Sequence, residues 1–202
     1  MQKPALNKSS LSHLERQRSM YQRYLPALEM KQRLLLTQRK QTGQRLATLR
    51  QRINEQQATI GRDLPMMADE DISLTGLVEV EDVEIVQENL VGVSLPALGN
   101  VRISRHSCPL LVQPHWVDQA QDQLAAAMQL KVERRVLERR LTLLDDAVRL
   151  ITQRINLFSR VMIPELERHM KRIDLHLSDQ ERAAVVRAKL AKQKLARTET
   201  RP

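Results

Sequence analysis

Aromatic side chains are scarce here: among 202 residues only Tyr21, Tyr24, Trp116 and Phe158 are aromatic. Thick globular cores draw much of their buried area from such rings, so a thick, compact core is not expected. Cysteine is scarcer still, with Cys108 alone, which excludes a disulfide within the chain and suits a reducing compartment. No apolar run approaches the ~20 residues that span a bilayer, and Met1-Gln2-Lys3-Pro4 leads into no apolar signal segment. The expectation is a soluble, cytoplasmic chain. All five glycines (Gly43, Gly61, Gly76, Gly92, Gly99) precede position 100. None is followed by Lys, which excludes the phosphate-cradling loop of P-loop nucleotide sites, and no Gly-x-Ser-x-Gly elbow supports acyl-transfer hydrolysis.

What is abundant is Leu, Ala, Gln, Arg, Glu and Lys, the composition of long amphipathic helices. The net charge of +9 conceals a strong segregation. Residues 1–62 carry 13 basic and 3 acidic side chains, residues 63–101 carry 9 acidic and no basic ones, and residues 102–202 carry 20 basic and 12 acidic ones. Two basic arms flanking an acidic insert should face different partners.

From Leu11 to Ile60, alternating steps of three and four residues pass through a mostly apolar seam that includes Leu28, Leu35, Leu46, Leu49 and Ile53. Such a heptad seam predicts a coiled-coil helix. Ser9, Ser10 and Ser12 are N-cap candidates, Gly61 a C-terminal cap, and Pro26 a place where the helix kinks or begins. A second seam, Leu137, Leu141, Leu144, Val148, Ile151, Ile155, Phe158 and Met162, is apolar at every position. Beyond Met162 its spacing shifts to Leu166, Met170, Ile173 and Leu177, with Pro164 at the shift, the mark of a local unwinding. Between the arms, Leu77-Val78-Glu79-Val80-Glu81 and Val83-Glu84-Ile85 alternate like a strand. Asn89-Leu90-Val91-Gly92-Val93 reads as a second strand ending before Pro96.

The expected fold is mainly α: an antiparallel two-helix coiled coil of the N- and C-terminal arms with a small insert containing a β-hairpin. The parts would be residues 1–62, a coiled-coil helix; 63–114, the acidic insert; and 115–202, a second coiled-coil helix. At 1.5 Å per residue the arms span about 75 and about 120 Å. If Leu11 pairs near Leu195, residues 116–145 overhang the first arm and need cover from the insert or a partner. Val78, Val80, Val83, Ile85, Val91, Val93, Trp116, Leu124 and Leu130 would form that partner region.

Other chemistry is thin. Glu165 and His169 share a helical face, with His176 two turns on, but no second pair completes a metal site of the helical-bundle kind. His106 and Cys108 read as loop residues. The basic arms interleave bases with acids and lack stacking aromatics, which argues against nucleic acid. The seams are too narrow for a membrane-surface helix.

Leu28-Glu29-Met30-Lys31-Gln32-Arg33-Leu34-Leu35 resembles the Leu-Leu-x-x-Lys-Arg-x-x-Leu signature of the D-subunit family of V/A-type rotary ATPases. Gln153-Arg154-Ile155-Asn156, Ile163-Pro164-Glu165-Leu166-Glu167, Gln180-Glu181-Arg182 and Leu190-Ala191-Lys192-Gln193-Lys194-Leu195 are similar to further motifs of that family, in the same order. Val91-Gly92-Val93-Ser94-Leu95-Pro96 resembles its Gly-Val-x-x-Pro element. The resemblance implies a non-catalytic central shaft without a cofactor. Its paired helices would turn inside a ring of catalytic and non-catalytic subunits, A and B, with the small F subunit beside the hairpin and a funnel-shaped seat subunit above the membrane ring. It also implies peripheral attachment and the coupling of ATP hydrolysis or synthesis to proton or sodium transport. Arg33, Arg39, Lys40, Arg154, Arg160, Arg168, Arg182, Lys189 and Lys192 would then meet acidic surfaces of the ring bore. A free-standing coiled-coil adaptor and a basic nucleic-acid-binding helix are the alternatives.

Overall fold

The computed structural model describes residues 4–65, 76–105 and 116–199, with side chains as far as Lys194. Helix α1 runs Lys8–Asp63, strands β1 and β2 run Val78–Leu90 and Val93–Arg105, and helix α2 runs Trp116–Asn156. A six-residue π-helical turn, Leu157–Met162, leads into helix α3, Ile163–Glu199. The fold is mainly α, with a two-stranded antiparallel hairpin between long N- and C-terminal helices. Two compact units are distinguished, Met1–Met30 with Ile151–Pro202, and Lys31–Leu150.

Helix α1 starts earlier than its seam suggests. Asn7 is the N-cap, its Oδ1 accepting from the Ser10 N–H at 2.8 Å, in place of the expected serine cap. Pro26 stands inside the helix without ending it. The helix also passes through Gly61, and Leu64 N–H still reaches the Ile60 carbonyl at 2.9 Å. Neither expected breaker breaks the helix, because the seam on either side carries it.

In the first unit Leu14, Leu166, Met170 and Ile173 form a buried cluster, with Leu11, Tyr21 and Leu177 packed on it. Tyr21 stacks on Phe158 with ring centroids 5.0 Å apart. In the second unit Arg39 pairs with Asp145, Arg50 with Glu138 at 3.0 Å, and Gln56 Nε2 donates to the Gln123 carbonyl at 3.3 Å. Within each unit the helices therefore run antiparallel. These ion pairs are about half exposed, so each contributes only about 0–1 kcal/mol and acts mainly on register.

This register overturns the expected overhang. Residues 123–145 lie against α1, and among the described residues a long wholly exposed stretch is found instead in the C-terminal half of α3, at Glu181–Lys194. A heptad seam looks the same after a shift of seven residues, so pairing the chain ends was one of several equally apolar solutions.

The hairpin also differs from its sequence reading. Residues 89–93 are not one strand: Leu90 ends β1, Val93 opens β2, and between them Val91 and Gly92 both have positive φ, 51° and 78°, as a two-residue hairpin loop of the I′ class requires. The Asn89 carboxamide accepts from the Gly92 N–H at 2.8 Å. Strand β2 runs straight through Pro96, which pairs with Gln87. In a two-stranded ribbon both strands are edges, where the missing N–H of proline does little harm. Register shifts interrupt the ladder between Val80 and Asp82 and between Val83 and Ile85. Gly99 sits by the second shift, where a Cβ would come within 3.1 Å of the Glu84 carbonyl.

A β-branched residue at φ 51° is strained, and Val91 is exposed, so its side chain gives little packing in return. Val91→Asn is expected to stabilise the hairpin by about 0.5–1 kcal/mol, read as slower amide exchange in β1 and β2. Unchanged or faster exchange would contradict this.

Candidate functional site

Among the described residues no group of three or more His, Cys, Asp or Glu could hold a metal ion. Glu165 and His169 approach to 3.8 Å as an i,i+4 pair, and His176 contacts Gln180. His106 and Cys108 lie outside the described residues. Two surfaces stand out.

The first belongs to the second unit, where the hairpin packs along α2. At its base Leu77 and Val78 are buried with Val117 and Ala125, and Ile103, Trp116, Leu124 and Met128 cover that cluster. Arg105 on β2 pairs with Asp122 at 2.6 Å. Farther along, Arg140 Nη1 donates to Glu88 Oε2 at 2.8 Å and to the Pro96 carbonyl at 3.3 Å. The acidic insert thus supplies much of the cover that α2 needs. One face stays open: Val80, Val83, Ile85 and Pro96 from the hairpin, with Val132, Arg135, Val136 and Arg139 from α2, line an apolar groove of about 620 Å³.

Sequence reasoning named Val80, Val83 and Ile85 here but not the α2 side of the groove. Val132 and Val136 carried a signal, since they lie four apart in a helix whose seam is offset from them. Val78, Trp116 and Leu124, expected to face a partner, face the chain's own core instead. Leu130 and Val93 are half-buried, and Val91 is exposed at the tip.

The second surface belongs to the first unit. Every residue from Glu181 to Lys194 is exposed. Five of those fourteen side chains are basic (Arg182, Arg187, Lys189, Lys192, Lys194) and only Glu181 is acidic. Val185, Val186 and Leu190 are each more than half exposed among them. An isolated basic helix with an apolar face is marginal in water, so this stretch calls for cover.

The other cationic side chains singled out by sequence, Arg33, Lys40, Arg154 and Arg160, are exposed. Arg39 is held by Asp145, and Arg168 Nε donates to the Pro164 carbonyl at 3.3 Å. Among the seam positions Leu35, Leu46, Leu49, Ile53, Leu144 and Ile151 are buried. Leu28, Leu137, Leu141, Val148, Ile155, Phe158 and Met162 are half-buried. No described helix is long and apolar enough to cross a membrane.

Residues 10–193 match the model of the ATP synthase D-subunit family. A protein of Borreliella burgdorferi, named as the D subunit of a V-type ATP synthase, is 30% identical over 197 residues, covering 96% of each chain. Proteins of the same name from Chlamydia trachomatis serovar L2 and Chlamydia abortus are 31% and 29% identical. Those matches cover 94% of this chain, and 95% and 89% of the respective relatives.

Proposed function

The chain belongs to the ATP synthase D-subunit family, and from this stalk membership we infer that it is the non-catalytic central rotor of a V/A-type ATPase or ATP synthase. In this reading it transmits torque between nucleotide chemistry in a head of A and B subunits and proton or sodium transport in a membrane ring. The observation that carries the reading is the uncovered basic stretch Glu181–Lys194. A helix of that charge, with Val185, Val186 and Leu190 exposed, suits the inside of an acidic, partly apolar sleeve better than bulk water.

The mechanism follows from asymmetry. A two-helix shaft has no three-fold symmetry, so it presses differently on each of three equivalent sites around it. Its orientation then biases which site is open, a population shift driven by differential contacts. Solvated pairs between shaft bases and bore acids are individually weak, so they let the contact slide as the shaft turns. The hairpin groove is the seat assigned to the small F subunit of the stalk, whose contact face should be apolar with acidic residues for Arg135 and Arg139. The funnel-shaped seat subunit completes the stalk. The chain itself works in the cytoplasm, peripheral to the membrane.

Two measurements test this. The tagged chain should co-purify with a hexameric ATPase head and a small partner; isolation alone or with unrelated proteins would favour the adaptor reading. Reversing Arg182, Arg187, Lys189 and Lys192 to Glu should leave ATP hydrolysis running but cut ions moved per ATP by about ten-fold, since like charges would face each other in the bore. Unchanged coupling in the assembled complex would sink the assignment of these bases.

A further inference from the structure

The buried seam of α1 keeps strict time. Leu14, Leu35, Thr42 and Leu49 are buried at multiples of seven, with Tyr21 and Leu28 half-buried at the steps between. The facing strand of the coil does not. Ile151 and Leu166 are both buried but fifteen residues apart, two heptads plus one residue, and the step of seven resumes from Leu166 to Ile173. A surplus residue in a packed seam must either swing the later seam away from its partner by about 100° or be absorbed locally.

It is absorbed in the π-helical turn Leu157–Met162, where Ile163 N–H donates to the Phe158 carbonyl, five residues back. Pro164 follows at once, and a wider turn before a proline makes room for its ring against the preceding carbonyls. No residue of the turn is fully buried, and its packing is confined to one side, where half-buried Phe158 stacks on Tyr21. The stack of Tyr21 on Phe158 and the cluster of Leu14 with Leu166 bring Arg18 abreast of Met162. Arg18 Nε is buried without a hydrogen-bond partner, a donor left over at the level of the turn.

We propose that this π turn is a torsional joint within the first unit, in which moving the five-residue hydrogen bond by one position changes the twist of α3 relative to the Ile151–Asn156 end of α2 while α1 stays continuous. Moving the bond releases a main-chain carbonyl, and Arg18 is the donor at hand to receive it. The inference rests on the backbone and seam of this chain alone, independent of the rotor reading.

The experiment compares the full chain, Pro164→Ala, and a chain with Pro164 deleted, which restores a spacing of seven between Phe158 and Leu166. Amide exchange is followed, together with the distance between spin labels at the exposed positions Arg154 and Lys171. In the parent chain, amides around the turn should exchange about ten-fold or more faster than those near Ile151 and Ile173, and the label distance should be broadly distributed. Pro164→Ala should keep both features, because the surplus residue remains. The deletion should abolish both and raise the melting temperature. The proposal is overturned if the parent shows no contrast, if Pro164→Ala alone removes it, or if the deletion fails to fold, since a surplus residue must be dispensable.

Discussion

Leu166→Ala is expected to lower the stability of the chain by about 2–5 kcal/mol, among the largest effects of any single core truncation here. Leu166 is fully buried and sits between Leu14 on α1 and Met170 and Ile173 on α3. With so few aromatic residues to redistribute volume, a two-helix seam has little means of collapsing around a missing isobutyl group. The loss therefore combines the transfer free energy of the side chain with a residual cavity. For a chain of this size each kcal/mol corresponds to a melting shift of about 2–4 °C, so circular dichroism should register it easily. Leu175→Ala, nine residues along the same helix but 64% exposed, is the control and should change stability by less than about 0.5 kcal/mol. Equal effects from the two would mean that the register placing Leu166 inside is wrong.

That register was the part of the fold least visible in the sequence. The two seams were legible because apolar residues recurring every 3.5 positions admit one physical explanation, a helix packed along a narrow stripe. Their relative placement was not, because the pattern repeats. Pairing Leu11 with Leu195 and pairing it near Leu177 satisfy apolarity almost equally. The choice is made by features without a periodic signature: the Arg39–Asp145 and Arg50–Glu138 pairs, and a hairpin able to cover residues 116–140 of α2. The error mattered for function, since it moved the uncovered surface from α2 to the end of α3.

The hairpin was half legible. Alternation in Val78–Ile85 announced β1, but the turn carries Val91-Gly92 in place of the Asn-Gly or Asp-Gly pair that usually marks a type I′ loop. Strand β2 contains Leu95-Pro96-Ala97-Leu98-Gly99, which alternates poorly and holds both a proline and a glycine. The groove was partly legible for the same reason: Val80, Val83 and Ile85 announce a face, while Val132, Arg135, Val136 and Arg139 acquire meaning only once the hairpin lies beside them. The shift in spacing after Met162 was visible as arithmetic, and the backbone gives it a form, the π turn.

Arg140→Met is expected to loosen the hairpin selectively, by about 1.5–3 kcal/mol, while leaving the Leu166 cluster intact. The Arg140 side chain is only 15% exposed, and one of its Nη1 contacts is the carbonyl of Pro96, a buried residue. Methionine keeps much of the apolar stem but withdraws the donor, leaving that carbonyl without this partner. Glu88, being half exposed, can return to water at little cost. The asymmetry predicts that Glu88→Gln is mild, below about 1 kcal/mol, and that Arg140→Met is not. Arg140→Lys should recover only part of the loss, because an ammonium lacks the rigid fork of the guanidinium. Amide exchange in β1 and β2 reports the effect directly. Arg139→Ala supplies the functional contrast: Arg139 lines the open groove, so its loss should weaken capture of the small partner proposed for that groove while leaving hairpin exchange unchanged. If Arg139→Ala loosens the hairpin as much as Arg140→Met, the groove is a structural seam rather than a seat. If neither substitution alters exchange, the hairpin is held by the Leu77–Val117 cluster alone.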